Sequence, residues 1–375
     1  MDVEHDVVPA VTLLLCLVVA WLAARRVLSL RTRAYPASRK LTERVVVSLL
    51  GIVAVAAAVS TGWNAFALYR FRQSPPGEVY VVNGHKMRLD CMGSGSPTIV
   101  LDAGLGNDGL IWGGVQPVLA KTTRVCSYDR AGFGWSDSLP DPRDAEHIAA
   151  ELHGLLDAAN IRGPIVLMGH SISGIYVRAY TTRYRANVAG LIFVDSSTPL
   201  QNRNPAFRRV NPSGWRHRLG MMRYQATFVL GLPRVRGECS RGLPGFDARA
   251  GKLQSEDDCR GAFSAVAAEW RSIDRSGEET VGTGPFGDLP ILIFSQDPAQ
   301  TTAEGSPRDM VNNWFTMQEN LKKLSTRSRR IVAKGSGHMV QLTRADLLER
   351  QVPLFIAQIR GEAPEPADYR TTVTE

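Results

Sequence analysis

Ile165-Val166-Leu167-Met168-Gly169-His170-Ser171-Ile172-Ser173-Gly174 sets a serine between a short apolar run and a string of small residues. Four apolar residues in a row suit a buried parallel strand. Ile175-Tyr176-Val177-Arg178-Ala179-Tyr180 then reads as a helix. A serine on a sharp strand-to-helix turn projects its hydroxyl out of the sheet edge, where it can attack a substrate carbonyl. The backbone of such a turn is strained, so the residues two positions to either side must be small. Gly169 meets that need on one side. On the other side stands Ser173, with Gly174 behind it.

This stretch resembles the nucleophile elbow of the α/β-hydrolase family, with serine at 173 where the commonest form has glycine. A second stretch, Tyr128-Asp129-Arg130-Ala131-Gly132-Phe133-Gly134-Trp135-Ser136, is similar to the family's strand-four signature, Asp-Arg-x-Gly-x-Gly-x-Ser. It reads as a structural turn beside the site. The resemblance runs from Val79 to Ile359. It implies an α/β fold: a mostly parallel eight-stranded sheet flanked by helices, with a helical cap inserted after the sixth strand.

The resemblance also implies roles. His338, in Gly335-Ser336-Gly337-His338 after the last strand, becomes the general base toward Ser171. The family order of serine, acid, histidine leaves two carboxylates to hold the imidazole in one tautomer. Asp297, following Ile291-Leu292-Ile293-Phe294, is the first candidate, and Asp195, ending the preceding strand, is the alternative. Negative charge building on the carbonyl oxygen needs N–H donors. Those expected are Ile172, next to the nucleophile, and Leu105, in Ala103-Gly104-Leu105-Gly106. The implied activity is that of a serine hydrolase cleaving a carboxylic ester, a lipid-like ester among the options, through an acyl-enzyme. Amidase, carbon–carbon hydrolase and cofactor-free peroxidase chemistry share the fold, and a non-catalytic binding module is the rival outside catalysis. No metal or organic cofactor is implied.

One motif points elsewhere. Gly104-Leu105-Gly106-Asn107-Asp108-Gly109 fits G-x-G-x-x-G, and Asp129 lies twenty residues on, as in a dinucleotide fingerprint. That fingerprint needs its last glycine to open a helix whose N-terminus holds pyrophosphate. Gly113, Gly114 and Pro117 make a poor helix, so a redox reading is disfavoured.

The elements that must position these residues can be traced along the chain. Glu78–Val82 and Lys86–Cys91, joined by Asn83-Gly84, predict a hairpin with a primed turn. Pro97–Asp102 and Thr123–Tyr128 are further strands. Asp141-Pro142 predicts the start of a helix, with Asp as cap and Pro in the first position, whose face carries Ile148, Leu152, Leu155 and Leu156. Gly190–Val194, Leu289–Ser295 and Arg329–Ala333 complete the sheet. Helices are expected over Trp215–Leu230, Ala262–Asp274 and Trp314–Leu324. The expected parts are a membrane hairpin and linker over 1–75, a core over 76–198 and 286–360, and a cap over 199–285. A disordered tail is expected over 361–375.

Apolar residues crowd the first seventy positions. Val7–Ala24 is charge-free for 18 residues and Val45–Tyr69 for 25, each long enough to cross a bilayer. A cleavable signal peptide would carry its positive cluster before the apolar run, whereas Arg25-Arg26 follows it. The net charge is +8, and Arg25–Arg44 alone holds seven basic residues against Glu43, a surplus of six. The remainder is therefore about +2 (8 − 6), with no basic stripe interleaved with aromatics, and nucleic acid is not an expected partner. Arginine-rich loops stay in the cytoplasm. The expectation is a two-helix hairpin in a bacterial cytoplasmic membrane, with the catalytic domain on the outer, periplasmic side. Oligomeric state is not legible. Cys91 and Cys126 fall on strands that the family's sheet order makes neighbours, and Cys239 and Cys259 bracket a short polar piece of the cap. Each pair is either a disulfide, as export would permit, or two idle thiols.

Overall fold

The computed structural model describes residues 7–375 except 33, 140–141, 211–214, 243–245, 247, 367 and 370. Two helices, α1 (Val8–Ser29) and α2 (Ala37–Arg72), come first. Strands β1 (Glu78–Val82) and β2 (His85–Met92) follow, and β3 (Thr98–Asp102) leads through α3 (Gln116–Leu119) to β4 (Val125–Tyr128). Then α4 (Ala145–Ala158) joins β5 (Ile165–His170), and α5 (Ser173–Arg183) joins β6 (Val188–Val194). Helices α6 (Pro205–Val210), α7 (Trp215–Val229), α8 (Leu232–Val235), α9 (Ala248–Asp258) and α10 (Phe263–Thr280) separate β6 from β7 (Ile291–Ser295). Last come α11 (Pro298–Ala303), α12 (Arg308–Asn320), β8 (Ser328–Val332), α13 (Val340–Thr343), α14 (Ala345–Ile359) and β9 (Thr372–Thr374).

These elements form two compact units. One comprises Met1–Ser74, Ser213–Arg241 and Ser255–Gly261, and the other comprises Pro75–Pro212, Gly242–Gln254 and Ala262–Glu375. The insertion between β6 and β7 is therefore shared between them.

The second unit is built on one sheet of order β1-β2-β4-β3-β5-β6-β7-β8-β9. The pairs β1–β2 and β2–β4 are antiparallel and the others are parallel. Alternate residues of one strand point to opposite faces, which is why the central strands are apolar throughout. Val100 and Leu167 enter a core with Ile148, Leu152 and Leu155 of α4 and Ile175 and Tyr176 of α5. Ile99, Leu101, Val166 and Met168 enter the opposite core with Leu119 of α3 and Leu347, Leu348, Val352 and Ile356 of α14. Each fully buried aliphatic side chain contributes about 2 kcal/mol before conformational entropy is subtracted. Strand β5, apolar and buried from Ile165 to Met168, is thus a rigid base for the turn at its carboxyl end.

The expected hairpin is present, with Asn83 at φ 51° and Gly84 at φ 84° as a primed turn demands. Three expectations are corrected. Asp141 lies outside the described residues, and the helix after it starts at Ala145, where Asp144 caps it by accepting the His147 N–H at 3.1 Å. Among the described residues the sheet has nine strands, not eight. The ninth comes from the segment expected to be disordered: Thr372–Thr374 pairs in parallel with Arg330–Val332. Its edge is held by Glu319, which accepts from Thr372 Oγ1 and Arg330 Nη1, both at 2.8 Å.

In the first unit the helices outrun their apolar segments, because arginine, lysine and leucine are good helix formers. Only residues 30–36 separate them, and Pro36 precedes the first residue of α2. Both helices are long and apolar enough to cross a membrane. Their large apolar side chains, Leu14, Leu15, Leu49, Ile52 and Val53 among them, point outward, while the packed seam of α2 holds Ala54, Ala58, Thr61 and Asn64. A core helix of a soluble protein would bury the large residues. A Cβ on Gly51 would come within 3.2 Å of the Ala23 Cβ, and such small residues allow membrane helices to approach closely. Cysteines are bonded as Cys91–Cys126 in the second unit and Cys239–Cys259 in the first, leaving Cys16 as a thiol.

Candidate active site

Strand β5 delivers Ser171 at φ 54°, in the left-handed region that costs a non-glycine residue strain. The turn is held by its own backbone. Ser171 N–H donates to Val194 O at 3.3 Å, and Ser171 O accepts from Ser197 N–H at 2.7 Å and Gly174 N–H at 3.0 Å. The need for small residues is met in an unusual way. A Cβ on Gly169 would lie 2.6 Å from Ser173 Oγ, so the extra hydroxyl of Ser173 is accommodated by Gly169. A Cβ on Gly174 would lie 2.5 Å from the Ser196 Cβ and 2.7 Å from Ser197 O, so it is Gly174 that lets α5 pack onto the end of β6.

The imidazole of His338 is brought to this turn, with Nε2 3.0 Å from Ser171 Oγ. Its Nδ1 lies 2.6 Å from Asp195 Oδ2. Asp195 is fully buried, at φ 44°, and its other oxygen accepts from Gln296 N–H and Trp314 Nε1–H, each at 2.9 Å. The indole of Trp314 also meets the His338 ring edge-on. Ser171, His338 and Asp195 thus form a continuous line of hydrogen-bonded side chains.

Asp297, the first candidate for the acid, is not part of that line. Its carboxylate is taken up by the start of α11, with Oδ1 accepting the Ala299 N–H at 2.9 Å, and by Gly335, whose N–H donates to Oδ2 at 2.9 Å. It braces the loop that carries His338 without touching the imidazole. The alternative, Asp195, occupies the position. A legible signal was available: Asp297-Pro298 is a helix cap followed by proline at the first helical position.

The Ala103–Gly106 turn lies against the nucleophile. A Cβ on Gly104 would come within 2.7 Å of His170 Nδ1 and 3.3 Å of the Ser171 Cβ, so only glycine fits. Asn107 N–H closes the turn onto Gly104 O at 3.2 Å. Among the described residues, neither the Leu105 nor the Ile172 N–H is taken up by a protein acceptor. Ile172 also caps α5, whose N-terminal end favours negative charge.

Residues outside the expected set hold this turn in place. Arg130 is buried, and it donates from Nη1 to Ala103 O at 2.6 Å and to Asp102 at 2.8 Å, and from Nη2 to Gly104 O at 3.0 Å. Glu269 of α10 grips the same guanidinium through Nε at 2.7 Å and Nη2 at 3.0 Å. Burial opposes the Arg130 charge, but Glu269 and Asp102 more than offset it and hold its pKa well above the ordinary value. Asp129 fixes the neighbouring turn by accepting from Gly109 N–H, Arg88 and Trp135 N–H. With that N–H used and only a short 3-10 turn over Gly109–Trp112, the apparent dinucleotide motif lacks its helix. His170 is buried too, and its Nε2 lies 3.1 Å from His338 O. Burial, with His338 beside it, pushes its pKa well below the usual histidine value.

Residues 99–351 match the model of the alpha/beta hydrolase family. The chain belongs to that family. Among curated proteins, this alpha/beta hydrolase is 26% identical over 310 residues to an uncharacterized protein of Schizosaccharomyces pombe, covering 72% of this chain and 54% of that one. The chain thus spans about half the length of the curated relatives it first matches. Among solved structures, the thermophilic esterase of Thermogutta terrifontis aligns with a TM-score of 0.52 at 21% identity, covering 75% of this chain and 98% of that one. An enol-lactonase from Burkholderia xenovorans aligns with a TM-score of 0.53 at 21% identity, covering 75% and 100%. At these identities the likeness is one of fold.

Proposed function

We propose that this alpha/beta hydrolase is a membrane-anchored serine esterase working through an acyl-enzyme. The observation that carries the reading is the line Asp195–His338–Ser171, with hydrogen bonds of 2.6 and 3.0 Å ending on a serine held at positive φ. His338 Nε2 takes the Ser171 proton as Oγ attacks the ester carbonyl, and buried Asp195 stabilises the imidazolium through Nδ1. The tetrahedral oxyanion is received by the free N–H groups of Leu105 and Ile172; one such donor is worth about 10²–10³ in kcat. His338 then returns the proton to the departing alkoxide. Water, deprotonated by the same imidazole, attacks the acyl-enzyme and regenerates Ser171.

Two long apolar helices with outward-facing large side chains support the anchor. The arginines between the apolar runs support a hairpin whose second helix carries the catalytic unit to the opposite side of the membrane. The carboxylic ester is favoured as the commonest substrate of this chemistry, and an apolar, lipid-like acyl group accords with the anchor. The test is to treat the detergent-solubilised full chain with a fluorophosphonate probe and a panel of acyl esters of increasing chain length. Labelling and turnover that both vanish in Ser171→Ala are expected. A chain that turns over esters equally well as Ser171→Ala would end the proposal.

A further inference from the structure

Helix α7 belongs to the same unit as α1 and α2 and carries an apolar stripe that the fold leaves open. Trp215, Leu219 and Met222 are 69%, 48% and 67% exposed. Their spacing of four and three residues places them along one side of the helix. Arg216 and Arg223, seven apart, run beside that stripe. An apolar stripe flanked by arginines is the composition of a helix lying in a bilayer surface.

The end of α7 fixes its depth. Leu230 O, just past the end of α7, accepts from Ser60 Oγ at 2.5 Å, and Phe228 O, in its last turn, accepts from Asn64 Nδ2 at 2.9 Å. Carbonyls at a helix C-terminus lack intrahelical partners, so two polar side chains of α2 cap α7. Gly231 makes the approach possible: at φ 68°, a Cβ there would meet the Asn64 Cβ at 2.8 Å and Ser60 O at 2.9 Å. Asn64 Oδ1 in turn accepts from Arg234 Nε at 3.0 Å, and Arg234 is paired with Glu256. Ser60 and Asn64 lie inside the apolar run that ends at Tyr69, about 14 and 8 Å before its end at 1.5 Å per residue. α7 also packs against α1. A helix capped from within a membrane span has its C-terminal end at hydrocarbon depth.

We infer that α7 is an interfacial helix seated in the leaflet crossed by the Tyr69 end of α2, its stripe against acyl chains and its arginines against lipid phosphates. This rests on the membrane anchor proposed above and extends it to the cap. The partner is the lipid surface itself, and the polar residues of α2 are the device that holds the cap there.

The test uses the full chain carrying Cys16→Ser, reconstituted in phosphatidylcholine vesicles containing phosphatidylglycerol. Nitroxide labels are placed singly at Leu219→Cys and Met222→Cys, at Val53→Cys on α2 as the lipid reference, and at Val81→Cys on β1 as the water reference. Trp215→Cys serves as a third stripe position if either stripe variant fails to accumulate. Collisional accessibility to oxygen should be high and to a nickel chelate low at 219, 222 and 53, with the reverse at 81. If 219 and 222 behave like 81 while 53 remains in lipid, the cap inference fails and the anchor stands. If 53 is itself open to nickel, both fall. Spin–spin broadening at 222 that vanishes on dilution with unlabelled chain would show a second copy covering the stripe, and would also overturn the inference.

Discussion

Asp195 Oδ2 sits 2.6 Å from His338 Nδ1, while its Oδ1 accepts from Gln296 N–H and Trp314 Nε1–H. Both oxygens are thereby oriented, and the imidazole is held with Nε2 toward Ser171. Asp195→Asn keeps the shape but can present an amide N–H to Nδ1, favouring the wrong tautomer. It should lower kcat about 10⁴-fold. Asp297→Asn should leave kcat near that of the parent, and Asp297→Ala should cost about 1 kcal/mol in denaturant unfolding as a lost helix cap. A kcat collapse in Asp297→Asn would reverse the assignment of the acid.

Much of this site was legible because it depends on local pattern. The apolar run before Gly169, the small residues after Ser171 and the glycines around His338 each fix a backbone shape that neighbouring residues reveal. Asp297 has both oxygens taken up, by Ala299 and Gly335 N–H, whereas Asp195 keeps Oδ2 for His338, and the Trp314 indole that orients it arrives from a helix more than a hundred residues away. Arg130 was visible as part of a turn, but its grip on Ala103 and Gly104 and its pairing with Glu269 are tertiary facts. The ninth strand was hidden for another reason. Three residues, Thr372–Thr374, are too few to show periodicity, and their pairing depends on side chains such as Glu319 that meet them only in the fold.

Arg130 holds the two carbonyls that precede Leu105, so its planar fork positions the amide proposed as an oxyanion donor. Arg130→Lys keeps the charge and loses the fork. The expected result is a drop in kcat of about 10²-fold, the scale of one misplaced donor, with KM close to the parent's. Steady-state kinetics on a short-chain ester separates this from a merely loosened fold, which would change the amount of active enzyme titrated by fluorophosphonate and leave kcat per labelled site intact.

His170 is buried and its pKa lies well below the usual histidine value, so the folded protein leaves it neutral where the unfolded chain would protonate it. The unfolded state therefore binds more protons below about pH 6.5, and stability must fall as pH drops through that value toward the folded pKa. The slope from this one group approaches about 1.4 kcal/mol per pH unit. His170→Gln has no such proton to bind, and its unfolding free energy should be flatter between neutral and mildly acidic pH. Equal acid slopes in parent and variant would contradict the buried neutral state.

The basic residues between the two apolar runs give the proposed anchor a testable direction. A phosphatase reporter that folds only outside the cytoplasm, fused after Gln73, should be active, and one fused after Arg31 should not. The opposite pattern would place the catalytic unit on the cytoplasmic side and would leave the chemistry of Ser171 untouched.

Strands β2 and β4 bring Cys91 opposite Cys126 in register, and Cys239 is bonded to Cys259 within the first unit. Thiol titration of the denatured, unreduced chain should therefore find Cys16 alone. The Cys91–Cys126 bond closes a loop of sequence separation 35. Removing it as Cys91→Ala with Cys126→Ala should cost about 4 kcal/mol of unfolding free energy by the chain-entropy relation. The double variant rather than a single one is needed, because a lone thiol left on the sheet could exchange with the remaining bridge. Five reactive thiols in protein isolated from an oxidising compartment would show that the strand register juxtaposes these cysteines without bonding them, and the stability loss should then shrink to that of two small core substitutions.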